Sequence, residues 1–143
     1  MSDKRFFDTN VLLYLLSADP AKADRAEALV AEGGTISVQV LNEFAATAIR
    51  KLRMSWTEVA EVLGTIRAVC AVEAVTVETH DRGRALAQRY GFQVYDAMIV
   101  ASALLAGCTT LYTEDLQDRL RVEGELTVRN PFRTAKKSAP PLA

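Results

Sequence analysis

The sequence has little histidine, little cysteine, no excess of positive charge and no long apolar run. Its one histidine, His80, sits between Glu78 and Asp81 at a helix start, with no serine or cysteine motif nearby. That argues against Ser-His-Asp and Cys-His catalysis and makes His80 a surface residue. The two cysteines, Cys70 and Cys108, are far apart and near no other thiol or imidazole. They fit neither a zinc spacing nor a disulfide framework, and read as reduced core residues of a cytoplasmic protein. The formal net charge is −1, whereas a protein gripping nucleic acid mainly through backbone electrostatics is usually basic. Nucleic-acid contact would have to use local clusters. The uninterrupted apolar run Val11 to Leu16 is shorter than the roughly 7–15 residues of a secretory h-region, and no A-x-A-like site follows. A membrane helix needs about 20 apolar residues and is likewise excluded.

What is present fits one domain of ordinary size. The chain has 143 residues, half of them hydrophobic and 24% charged, enough for a core of its own. Residues 1–133 read as that domain and residues 134–143, with Lys136, Lys137, Pro140 and Pro141, as a frayed tail. Phe6 and Phe7 favour a strand at Arg5–Phe7. A helix follows from Asn10, a plausible cap, to Leu16. Ala21–Ala31 is helix-forming and stops at Gly33-Gly34. Thr35–Ser37 reads as a strand, and Val38–Leu52 as a helix with Leu41, Phe44, Ala45, Ala48 and Leu52 on one stripe. Ser55-x-x-Glu58 is a capping box opening a helix to about Val69. Val72–Val77 reads as a strand, Glu78–Tyr90 as a helix, and Asp96–Ala106 as a further helix. Thr109–Tyr112 and Leu126–Val128 are strands. Strands alternating with helices argue an α/β domain with a mostly parallel sheet and helices on both faces. The helix after Asp96 has one polar residue, Ser102, before Leu105, so it belongs in the interior.

The carboxylates carry the chemistry. In such folds ligands bind outside the carboxyl ends of the strands. Asp8 follows "RFF" and Asp115 follows "TLYTE". Asp96 begins the buried helix, and Glu43 lies one to two turns into the helix after "TIS". Taken singly each has a plainer role: turn, cap or solvated helix residue. Together, four acids from distant segments would meet on one edge. Packed carboxylates repel and resist ionisation unless something positive sits among them. No Lys, Arg or His is embedded in these motifs, and a hard cation such as Mg²⁺ meets the need. The reaction class this suggests is metal-assisted phosphodiester hydrolysis.

"FFDTNVLLYLL", "SVQVLNEF", "VYDAMIVASALLAGC" and "LYTEDLQD" resemble the four motifs of PIN-domain nucleases, and within them the VapC-type toxins of toxin–antitoxin pairs. The likeness runs in order from Arg5 to about Phe132. It implies a Rossmann-like three-layer sandwich and Mg²⁺- or Mn²⁺-dependent endoribonuclease activity leaving 5′-phosphate and 3′-hydroxyl ends. It also implies an RNA substrate, an antitoxin partner and a homodimer. By similarity Asp8, Glu43, Asp96 and Asp115 are the acidic quartet, supported by Asn10 and Thr113. Glu114 and Asp118 compete for the fourth place; the pattern Thr-x-Asp favours Asp115.

Two other functions compete. An inactive PIN-like RNA-binding domain would lack one or two of the acids, and all four are present. A phosphohydrolase with an aspartate nucleophile resembles Asp-x-Asp after its first strand, where this chain has Asn10 in the second place. Of the basic clusters, Arg50, Lys51 and Arg53, or Arg82, Arg84 and Arg89, read mainly as solvated helical faces. Arg119, Arg121 and Arg129, nearer Asp115, are the favoured substrate contacts. Trp56 is expected to pack on a neighbouring helix rather than stack a base. Val11, Leu12, Tyr14 and Leu15 are core, a groove or a dimer seam.

Overall fold

The computed structural model describes residues 3–133; the expected tail at 134–143 lies outside them. Six strands form one sheet: β1 (Arg5–Phe7), β2 (Gly34–Ser37), β3 (Cys70–Glu73), β4 (Thr110–Tyr112), β5 (Arg121–Val122) and β6 (Leu126–Arg129). Their spatial order is β3-β2-β1-β4-β6-β5. Every pairing is parallel except β5 with β6. The helices are α1 (Thr9–Leu13), continued by a 3-10 turn at Tyr14–Leu16, then α2 (Pro20–Ala31), α3 (Val38–Arg50), α4 (Trp56–Val69), α5 (Val77–Tyr90) and α6 (Val94–Leu105). They cover both faces of the sheet, giving the expected three-layer α/β architecture. Among the described residues no helix is long and apolar enough to cross a membrane.

The topology fixes where a site can form. The chain lays β2 and then β3 outward on one side of β1, then crosses back through α5 and α6 to place β4 on the other side. The strand order therefore reverses between β1 and β4, and the carboxyl ends of those two strands open a crevice. Their register aligns Phe7 with Tyr112, which puts Asp8 and Thr113, the next residues, side by side. Phe6, Phe7, Ile36 and Leu111 are fully buried, as parallel strands covered on both faces must be. Arg5 anchors the start of β1. Its guanidinium donates to the Leu29 and Gly33 carbonyls at 2.9 and 2.7 Å, at the end of α2, and lies over the Phe7 and Tyr112 rings.

Several elements differ from the sequence reading. β3 starts and stops earlier than Val72–Val77, because Thr76 and Thr79 cap α5 reciprocally, each backbone N–H donating to the other's hydroxyl. That draws Val77 into the helix, where it is exposed. Asp8, not Asn10, caps α1, its Oδ1 accepting from the Thr9 N–H. β5 was not expected. It pairs back on β6 through a three-residue connection, Glu123 to Glu125, whose first two residues have positive φ, the hand that suits a tight hairpin. Helix α6 begins two residues before Asp96 and is buried from Ala97 to Leu104. Val11 and Leu12 are core, while Tyr14 and Leu15 are half-buried. Trp56 does not pack as expected: it is 69% exposed at the first position of α4.

Candidate metal centre

β1 ends at Phe7 because the chain turns at once into α1, and Asp8 is the residue between them. Its carboxylate is buried, 5% exposed, and each oxygen accepts a short hydrogen bond. Oδ1 accepts from the Thr9 N–H at 2.7 Å, and Oδ2 accepts from the Thr113 hydroxyl at 2.7 Å. Thr113 follows β4 directly. Its hydroxyl oxygen also accepts from the Asp115 N–H at 3.0 Å, so one side chain spaces two acids of the expected quartet.

Asn10 lies a step further along α1. Its Nδ2 donates to Asp115 Oδ2 at 2.8 Å and leans on Asp8 and Thr113 at 3.4 Å. Asp96, in the first turn of α6, completes the cluster. Ligand oxygens of Asp8, Asp96 and Asp115 all lie within 4.8 Å of one another. Glu43 lines the same pocket from α3. Its Oε1 accepts from the Thr9 hydroxyl at 2.6 Å and its Oε2 from Gln39 at 3.0 Å. Gln39 also donates to the Tyr95 carbonyl at 3.1 Å, tying α3 to the first turn of α6. The structure thus brings Asp8, Glu43, Asp96 and Asp115 into one pocket, with Asn10 and Thr113 among them.

The two competitors for the fourth place face elsewhere. Glu114 turns to Tyr14, whose hydroxyl donates to its carboxylate at 2.6 and 3.1 Å. That bond, with burial second, holds the Tyr14 phenol up to about 12. Asp118 accepts from the Asn130 N–H at 2.8 Å, bracing the chain after β6. Neither lines the acidic pocket.

The electrostatics follow from the crowding. Burial pushes the Asp8 carboxyl up to about 7; the Thr113 and Thr9 hydrogen bonds oppose this, and the Asp115 and Asp96 charges add to it. Asp96 is raised as well, chiefly by burial and then by the charges of Asp115 and Glu43. Among the described residues no salt bridge reaches any of the four acids. Asp8, Asp96 and Asp115 offer only oxygen donors in a tight group, in which Asp8 and Asp96 resist ionising. That donor set suits a hard divalent cation and no soft one. A pocket of about 450 Å³ stands open in front of it.

The sequence reading missed three neighbours and misplaced one. Gln93 and Tyr95 line the pocket from the start of α6, and Thr47 from α3. Helical spacing from Glu43 could have found Thr47. The cation on the rim is Arg50, one of the less favoured candidates. Of the favoured three none lines the pocket, and Arg121 is engaged at the hairpin by the Gly124 carbonyl at 2.7 Å. Arg89, from the cluster with Arg82 and Arg84, pairs with Glu123 at 2.8 Å.

Comparison with known proteins agrees with this architecture. The chain is similar to a toxin–antitoxin complex from Klebsiella pneumoniae, at 23% identity and TM-score 0.69, covering 92% of this chain and 100% of that one. It is similar to Mycobacterium tuberculosis VapC20, a sarcin–ricin loop cleaving toxin, at 23% identity and TM-score 0.63, covering 78% and 90%. It is similar to DNA-bound VapBC from Salmonella typhimurium, at 20% identity and TM-score 0.66, covering 91% and 99%. No curated protein sequence matches it. The family model of the PIN domain matches residues 5–122. With that span and this sheet order, the chain belongs to the PIN domain family.

Proposed function

We propose that this chain is an endoribonuclease, the toxin of a toxin–antitoxin pair, hydrolysing RNA phosphodiester bonds with Mg²⁺ or Mn²⁺. The observation that carries the reading is the group of Asp8, Asp96 and Asp115 oxygens within 4.8 Å of one another, without a salt bridge among the described residues. Those three residues, with Glu43 beside them, would hold the metal. When bound, it would supply an activated water and neutralise charge developing on the phosphate.

The chain's own side chains set the rest. Thr113 and the Thr9 N–H hold Asp8 in one rotamer, and Asn10 does the same for Asp115. Such outer partners fix ligand orientation. Thr9 and Gln39 aim Glu43, whose half-buried carboxylate can accept a proton from water entering the pocket. The walls of α1, α3 and α6 shield one side of the reacting phosphate from solvent.

The neighbours described above are, by their names, toxins and toxin–antitoxin complexes, and their similarity supports an antitoxin partner here. An apolar hollow of about 610 Å³, with Leu15, Leu16, Val30, Val62 and Ile66 among its walls, fits the apolar face of a partner helix. Val77, Val94 and Tyr95, exposed at the starts of α5 and α6, offer area for a homodimer. The buried free thiols Cys70 and Cys108 suit a reducing, cytoplasmic setting.

The test is direct. Purified protein is incubated with RNA in Mg²⁺, in Mn²⁺ and in EDTA, beside an Asp8→Asn variant. Cleavage is expected with either metal and not in EDTA or in the variant. Cleavage that survives chelation overturns the metal mechanism. Phosphate release from small monoesters without RNA cleavage favours an aspartate-nucleophile phosphohydrolase instead.

A further inference from the structure

Beside the acidic pocket lies a second hollow of about 470 Å³, within the roughly 300–1,000 Å³ of small-ligand sites. The two are not separate. Asn10, Leu13 and Thr47 are walls of both. The second hollow is mostly apolar, built from Leu13, Leu16, Tyr14 and Leu52, and Leu52 is 45% exposed at its edge. Successive cations at the end of α3 divide between them: Arg50 lines the acidic pocket and Lys51 the apolar hollow. Neither forms a salt bridge among the described residues, though carboxylates line both hollows. The acid in the second hollow, Glu114, is occupied by the Tyr14 hydroxyl.

α3 explains the layout. Glu43, Thr47 and Arg50 recur at helical spacing and face the acids. Lys51 caps the helix one residue on, rotated toward Leu52 and the 3-10 turn. Where the helix ends, its negative pole also favours cations. A polyanion bound at the acidic pocket and continuing in this direction must cross the shared wall and enter the apolar hollow. Two successive cations without a salt bridge call for an anionic ligand, and alternating phosphates and bases match the alternating cationic and apolar surfaces.

We propose that the apolar hollow is a subsite for the nucleoside flanking the scissile phosphate, with Arg50 and Lys51 gripping the phosphates on its two sides. This rests on the nuclease reading and adds to it a specificity-determining position. The base lies against Leu13 and Leu52 and is held by shape and apolar contact. Asn10 and Thr47 stand where its sugar passes. Lys51 and Arg50 position the strand without reading its sequence.

The experiment uses the full chain and short single-stranded RNA oligonucleotides in which one nucleotide beside the cleavage point, on either side, is made abasic. On one side only, base loss should lower kcat/KM of the wild type about tenfold. Leu52→Gln, at an exposed position, should already show that loss and be insensitive to the missing base. Lys51→Gln should raise KM, leave kcat near wild type and flatten the salt dependence of binding. Anisotropy titration of the same oligonucleotides into the Asp8→Asn chain gives affinities without catalysis. Cleavage with the same abasic penalty in wild type and Leu52→Gln overturns the subsite and leaves the nuclease reading standing. RNA binding that depends on the base and on Leu52, without cleavage by the wild type, does the reverse. Binding of a protein partner weakened by Leu52→Gln, with RNA affinity unchanged, gives the hollow to that partner and overturns the proposal.

Discussion

The Thr113 hydroxyl donates to Asp8 Oδ2 at 2.7 Å although 105 residues separate them. Parallel pairing of β1 with β4 makes this possible, because it ends both strands at the same level. The bond stabilises the ionised form of a buried acid, opposing the burial that raises it. Thr113→Val keeps the shape and removes the donor. Asp8 then titrates higher still, and the chain loses about 1–3 kcal/mol at neutral pH. Metal affinity falls roughly 10–100-fold, the range for loss of an orienting partner. Calorimetric titration with Mn²⁺ and thermal melts check both, and Thr113→Ser restores them. Unchanged affinity in Thr113→Val would show that Asp8 needs no such partner.

Where the neighbours point favours Asp115 as the fourth acid of the proposed site. Asp115 is held over the pocket by Asn10, whereas Asp118 braces Asn130. Asp115→Asn is expected to reduce kcat by about a hundredfold or more. Asp118→Asn keeps an oxygen for the Asn130 N–H and leaves cleavage near the wild-type rate. Glu114→Gln returns the Tyr14 phenol toward its ordinary range without changing metal affinity. Rates for the first two, with an absorbance titration of Tyr14 for the third, separate the candidates. A rate collapse in Asp118→Asn that exceeds the one in Asp115→Asn reverses the assignment.

Much of this architecture is legible in the sequence alone. Apolar strands ending in a single acid, as at Phe7-Asp8, mark the sheet edge that must be both buried and polar. The all-apolar helix after Asp96 located that acid at the mouth of the interior. Other features were not legible. The β5–β6 hairpin is two residues deep, too short for a period to emerge, and its turn uses Glu123 where Asn or Asp would have been the usual signal. The early end of β3 depends on a Thr76–Thr79 cap that competes with β-branched residues wanting a strand. Arg50 could not be ranked above Arg121, because nearness along the chain to Asp115 is not nearness in space. Trp56 lies outside the packing for a reason the sequence hides: its helix turns another face to the core, through Val59 and Ile66.

Gly34 tests how tightly the sheet holds the site. A Cβ there would sit 2.5 Å from Phe7 Cε2 and 3.2 Å from the Arg5 carbonyl oxygen. The Phe7 ring is fully buried and has nowhere to swing, so Gly34→Ala overpacks the core at a cost of about 1–3 kcal/mol. Phe7 immediately precedes Asp8, so the strain should pass to the acidic pocket proposed to hold the metal. Gly64→Ala is the control, since a Cβ at that helical position meets nothing within 4 Å and should stabilise by about 1 kcal/mol. Denaturant melts of the two variants should therefore move in opposite directions, with weakened Mn²⁺ binding in Gly34→Ala alone. A Gly34→Ala chain as stable as wild type would mean that β1 and β2 can part without consequence.

The raised Asp8 carboxyl makes stability depend on pH with a definite sign. Its pKa is about 7 folded against an ordinary 3.8. Below about pH 4 both states hold the proton, and burial of Asp8 costs nothing extra. Between about 4 and 7 the unfolded chain releases its proton while the folded chain keeps it, so stability falls as pH rises. Above 7 both are ionised and the whole penalty stands, on the order of a few kcal/mol. Burial and like charge push Asp96 the same way. Metal-free Asp8→Asn should therefore melt higher than wild type at pH 8, with the gap closing toward pH 4. A divalent cation competes with those protons, so millimolar Mg²⁺ should raise the wild-type Tm more at pH 8 than at pH 5. The variant should respond weakly at both. Paired melts of wild type and variant across this range remove the contribution of titrating groups remote from Asp8 and report Asp8 with the acids coupled to it. A gap that does not widen with pH, or an equal metal response in the variant, would contradict a buried acid waiting for a cation.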